Sequence, residues 1–110
     1  MSGSSIMKEN MRATYIIRFK TPLPYNFGAK YGDNFHYIGQ TKRIKNRMRR
    51  HFGGCGARPT KLAVKHNIEM SITGIMYGVN IEEMLEYDGF KFFCTCDICK
   101  QFRIDNNIIY

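Results

Sequence analysis

The sequence predicts an α+β domain: a small antiparallel three-stranded sheet flanked by helices, followed by a Cys-bearing C-terminal extension. Three observations carry this. Residues 13–19, "ATYIIRF", alternate with the two-residue period of a strand. Ile44, Met48 and Phe52 recur at four-residue intervals, the spacing of a helix stripe. A stretch rich in Pro, Gly and Asn separates the first two strand-like segments, and paired glycines follow the helix stripe.

In chain order, residues 1–12, "MSGSSIMKENMR", lack the apolar stretch of a secretory signal and read as a short flexible leader. The first strand places Tyr15, Ile17 and Phe19 on one face and Thr14, Ile16 and Arg18 on the other. "KTPLPYNFGAKYGDN" reads as a long irregular hairpin loop. "FHYIG", residues 35–39, is the second strand, and an antiparallel pairing would bring Tyr15 and Tyr37 to one face. Thr41 is placed to cap the next helix, and Gly53–Gly54 to end it. Ile44, Met48 and Phe52 form its expected core stripe, and Arg43, Arg47 and His51 a parallel stripe beside it. A second helix is expected over "ARPTKLAVKH", residues 57–66, with Pro59 near its start. "IEMSITGIMYG", residues 68–78, reads as the third strand, "NIEEMLEYDG", residues 80–89, as a short helix, and "FKFFCTC" as a further strand. The organisation expected is a leader over 1–12, one domain over 13–89 and an extension over 90–110.

The chain has 110 residues and a formal net charge of +8. Between Tyr37 and His66 there are nine Lys or Arg and no Asp or Glu. A block of one sign suits a polyanion, and the expected partner is nucleic acid. Lys42, Arg43, Lys45, Arg49, Arg50, Arg58, Lys61 and Lys65 are the expected phosphate contacts, with no base preference implied. No apolar run approaches the ~20 residues of a membrane span. The expected location is intracellular, cytoplasmic or nucleoid/nuclear. A composition rich in Lys, Asn, Ile and Tyr suggests a phage or virus source. Cys55, Cys94, Cys96 and Cys99 then read as thiols or metal ligands rather than disulfides. "CTCDIC" would supply three ligands of a structural Zn²⁺ site, with Cys55 or His66 as the candidate fourth; the alternative reading is free or partly buried cysteines.

"ATYII", then "YIG", then "QTKRIKNRMRRH" together resemble the core of the GIY-YIG endonucleases over residues 13 to 88. In that family an Arg follows the second-motif Tyr by ten residues, and a His or Tyr follows four later; Tyr37, Arg47 and His51 match. In the first motif Tyr15 stands at the Tyr position, while Ala13 and Thr14 replace the usual Gly and Ile. The Asn that some members carry after the late helix has no counterpart before Asn106. The resemblance implies a carboxylate on a late helix that holds Mg²⁺ or Mn²⁺. "EEMLE" is similar to the E-A-L-L-L-E pattern of the excision-repair members, which points to Glu86, with Glu82 and Glu83 as alternatives.

It further implies one-metal hydrolysis of DNA phosphodiesters. Tyr15 would orient or deprotonate the attacking water, Tyr37 would hydrogen-bond beside it, and His51 would contact phosphate or take up a proton. Arg47 suits bidentate pairing with phosphate oxygens, since guanidinium stays charged. Small members usually rely on a further specificity domain or partner protein. Singly, each residue has a plainer reading: the tyrosines as sheet aromatics, Arg47 as a side chain whose stem covers the core, His51 as a helix-end cation. Two other functions stay open, a non-catalytic nucleic-acid-binding relative and a zinc-stabilised adaptor for an acidic partner. The separating feature is whether a carboxylate faces Tyr15, Tyr37 and Arg47.

Overall fold

The computed structural model describes residues 11–24, 32–78 and 90–107. The elements are β1 (Ala13–Phe19), β2 (Gly32–Asp33), β3 (His36–Thr41), α1 (Ile44–Phe52), α2 (Arg58–Lys65), β4 (Met70–Tyr77), α3 (Phe90–Phe93) and α4 (Asp97–Asp105). The strands form one antiparallel sheet in the order β2-β3-β1-β4, so β1 is central among the three long strands. The two-residue β2 is an edge addition to the three strands expected. The helix expected over 80–89 lies outside the described residues.

The alternation along β1 divides the core into two layers. Ala13, Tyr15, Ile17 and Phe19 pack with Leu23, Ile44, Met48 and Ala63, placing α1 and α2 on one face. Ile16 and Ile38 pack with Phe90, Cys94, Cys96 and Cys99 on the other. Burying each such Ile contributes roughly 1.5–3 kcal/mol, which favours a central strand apolar on both faces. Gly74 keeps β4 open to this second layer, since a Cβ there would stand 2.9 Å from the Ile16 side chain. An ion pair, Arg18 to Asp97 at 3.5 Å, links β1 to α4.

Three local expectations are corrected. Thr41 does not cap α1. It ends β3, and its Oγ1 accepts the Arg43 N–H at 3.0 Å, a turn before the helix. Phe52 is not core: it is 42% exposed, while His51 is fully buried. Helix geometry explains this, since seven steps from Ile44 return to within about 20° of its direction, whereas eight overshoot by about 80°. "FKFFCTC" is not a strand. Its first four residues make the helical turn α3, with Cys94 N–H donating to Phe90 O at 2.9 Å, and that turn sets Phe90 and Cys94 on one face of the sheet. Gly53 and Gly54 end α1 as expected, Gly54 with φ at +82°.

Candidate active site and cysteine cluster

Tyr15 lies directly opposite Gly39 in the β1–β3 register. A Cβ on Gly39 would fall 2.2 Å from the Tyr15 hydroxyl oxygen and 2.4 Å from Cζ. The glycine of "YIG" is therefore the space in which the Tyr15 ring lies. Tyr37, paired with Ile17 and so diagonal to Tyr15, brings its ring centroid within 6.2 Å. His51 reaches the same spot from α1, with its ring 5.5 Å from Tyr15 and 5.3 Å from Tyr37. Gly56 admits that imidazole, for a Cβ there would stand 2.4 Å from Nδ1.

The hydrogen bonds run in one direction. Thr60 Oγ1 donates to Ala57 O at 3.1 Å, so towards His51 Nδ1, at 2.6 Å, it accepts. Nδ1 thus carries the hydrogen and Nε2 the lone pair. The Tyr15 hydroxyl donates to Nε2 at 2.7 Å. The Tyr15 and Tyr37 hydroxyls are also bonded to each other. The chain runs inward from half-buried Tyr37 through buried Tyr15, His51 and Thr60 to a backbone carbonyl.

Burial, and then the neighbouring Tyr37, push the Tyr15 phenol well above the ordinary tyrosine range against the pull of Arg47. Burial also raises Tyr37, opposed by Arg47 and by its bond to Tyr15. Burial, then Arg47 and Arg50, lower His51 to about 4. At neutral pH both phenols and the imidazole are therefore uncharged. Arg47 is exposed on α1, yet its charge reaches Tyr15, Tyr37 and His51. Lys42, Arg43, Lys45, Arg49 and Arg50 are exposed on or beside α1, and Arg58, Lys61 and Lys65 on α2. All nine cations thus belong to the helical layer on the Tyr15 face.

Glu82, Glu83 and Glu86 lie outside the described residues. Mg²⁺ takes carboxylate, water and phosphate oxygens. Tyr15, Tyr37, Arg47 and His51 include no carboxylate, so these four do not hold such an ion by themselves. The anionic ligand would have to come from elsewhere, and residues 79–89 carry the expected candidates.

On the opposite face, His36, Cys94, Cys96 and Cys99 converge, their ligand atoms all within 4.8 Å of one another and all four residues buried. His36 Nε2 is 3.3 Å from Cys96 Sγ and 3.4 Å from Cys99 Sγ. Thr73 Oγ1 lies 3.0 Å from Cys94 Sγ. Hydrogen bonds, the largest from the Cys99 thiol, draw Cys94 well down against burial, and Cys99 is pushed up in turn. This set fits the four-coordinate Cys₃His site of zinc. Neither expected fourth ligand is in it. Cys55 is exposed beyond α1, its thiol 3.9 Å from Gly53 O, and His66 is exposed at the end of α2. Both lie on helical connections of the other layer, whereas His36 points through the sheet because it precedes Tyr37 by one residue.

Sequence reasoning missed Gly56, Thr60 and His36. Thr60 follows His51 by nine residues in another helix, and no motif announces it. His36 carried a signal, as the even-numbered neighbour, in the same strand, of a residue that faces the site.

No curated protein and no solved structure matches the chain significantly. Among the described residues no helix is long and apolar enough to cross a membrane. The sequence model described as GIY-YIG catalytic domain matches residues 11–95, a span that holds the two tyrosines, Gly39, Arg47, His51 and Thr60. The chain belongs to the GIY-YIG family.

Proposed function

We propose that the protein is a metal-dependent endonuclease that hydrolyses DNA phosphodiester bonds. Membership of the family supports nuclease-type action on nucleic acid. The observation that carries the reading is the hydrogen-bond chain Tyr37–Tyr15–His51–Thr60 beneath exposed Arg47, on the face that bears the other eight cations. Free phenolate is disfavoured at both tyrosines, so they act as relays. Tyr37 is the more accessible of the two, which favours it as the group that meets the water. As the water oxygen bonds to phosphorus and the P–O3′ bond breaks, one water proton passes to Tyr37, and the leaving O3′ takes a proton from solvent. The Tyr37 proton passes to Tyr15, and the Tyr15 proton to His51 Nε2. Thr60 holds His51 in the tautomer that can accept it. Arg47 pairs with the phosphate oxygens, and the negative charge it gathers offsets its own effect on His51. A single Mg²⁺ or Mn²⁺ held by Glu86 would supply Lewis-acid charge at the phosphate and the leaving oxygen.

Supercoiled plasmid nicking tests this, with Mg²⁺, Mn²⁺ or EDTA, beside Arg47→Ala, Tyr37→Phe and Glu86→Ala. Cutting that needs the ion and is lost in all three variants is expected. Persistent cutting by Glu86→Ala would move the ligand to Glu82 or Glu83. A wild type that binds DNA in a salt-sensitive way but cuts neither plasmid nor branched DNA would favour a non-catalytic binding module.

A further inference from the structure

We infer that His36, Cys94, Cys96 and Cys99 bind one structural Zn²⁺, with His36 of β3 as the fourth ligand. Four soft or borderline donors converge from two distant stretches of chain into a buried, water-poor spot. Zinc–sulfur and zinc–nitrogen bonds of about 2.3 and 2.0 Å place tetrahedral ligand atoms roughly 3.5–3.8 Å apart. His36 Nε2 already stands 3.3 and 3.4 Å from two sulfurs, so small outward shifts admit the ion. Hydrogen bonding alone explains the arrangement poorly, because one nitrogen offers one site and two sulfurs approach it. The surroundings suit a thiolate. Thr73 Oγ1 and the Cys96 backbone N–H both reach Cys94 Sγ, as outer donors do at metal-bound sulfur. On binding, the three thiols release their protons to solvent and His36 coordinates through its Nε2 lone pair. The centre then carries one net negative charge, which those donors moderate.

The site's position gives it a role. The GIY-YIG match ends at residue 95, between Cys94 and Cys96. The ion would stitch matched residues, His36 and Cys94, to the two that follow. Arg103 of α4 closes the same loop by donating to Lys91 O and Cys94 O, each at 2.7 Å. His36 immediately precedes Tyr37, so zinc would anchor β3 from behind while Tyr37 and Gly39 face the tyrosine chain. His36 and the cysteines are positioning residues for that face.

The test is metal analysis of the full chain purified without added metal, with X-ray absorption at the zinc edge. One zinc per chain with a shell of three sulfurs and one nitrogen is expected. Cys55→Ser should keep the zinc, while Cys99→Ser and His36→Ala should lose it; His36→Cys should retain it with four sulfurs. Chelation should lower the Tm by about 10 °C or more, restored by Zn²⁺. If the single-ligand variants do not fold, the absorption spectrum of the wild type decides alone. A metal-free chain whose Tm is indifferent to chelator and Zn²⁺ would overturn the inference. So would bound iron, a shell without nitrogen, or zinc lost in Cys55→Ser.

Discussion

Replacing Thr60 by Val removes a hydroxyl while keeping the side chain's shape. Thr60 is fully buried, and its Oγ1 accepts the His51 Nδ1–H at 2.6 Å. Ala57 O, which Thr60 also serves, keeps the Lys61 N–H at 2.8 Å, so the loss falls on His51. A buried N–H left without a partner costs about 1–3 kcal/mol. For a domain of this size that is a Tm fall of roughly 5–15 °C. The imidazole can escape part of the cost by moving its hydrogen to Nε2, which then donates to Tyr15 and closes the relay. Turnover should therefore fall by ~10²–10⁴, the usual worth of a placed proton acceptor. Thr60→Ser keeps the oxygen and should restore both properties. Denaturant unfolding, plasmid nicking and the ¹⁵N shifts of His51 read the three effects. If Thr60→Val matches the wild type in stability, and His51 keeps its hydrogen on Nδ1, the hydrogen-bond direction argued from Thr60 is wrong.

Gly39→Ala should displace the Tyr15 ring, because the new methyl would stand 2.2 Å from its hydroxyl; overpacking costs about 1–3 kcal/mol, and an unchanged Tm and nicking rate would contradict that contact. Acid should destabilise the protein through His51. Its folded pKa, about 4, lies below the unfolded value of 6.5, so its contribution is present above pH 6.5 and lost as pH falls towards 4. That contribution is roughly 3 kcal/mol, measurable as the difference in pH dependence between wild type and His51→Gln, which cancels the other histidines; parallel curves would refute it. Arg49→Ala should weaken DNA binding with little sequence dependence and reduce the slope of log K against log salt by about 1, while an unchanged slope would remove Arg49 from the phosphate contacts. Met48→Ala should cost about 2–5 kcal/mol in chemical denaturation and Phe52→Ala far less, since Met48 is 5% exposed and Phe52 42%.

The long elements were legible because each carries a strong period. β1 and β4 alternate, and α1 ends at paired glycines. The errors fell where periodicity is short or local chemistry is ambiguous. Phe52 and His51 differ by one position, and apolarity favoured the wrong one; Tyr15 and Thr60 satisfy both ring nitrogens of the histidine, which lets it face inward. "FKFFCTC" has aromatic strand composition, but packing Phe90 and Cys94 together against the sheet favours a helical turn.

By itself the sequence determined the family, the basic face, and the spacing of Tyr37, Arg47 and His51, because these are properties of neighbouring residues in one chain segment. The tertiary structure alone decided that Gly39 makes room for Tyr15, that Thr60 sets the histidine's tautomer, and that His36 rather than Cys55 completes the cysteine cluster. Each of those depends on strand register and on which side of the sheet a residue faces, and a one-residue change of position reverses the answer.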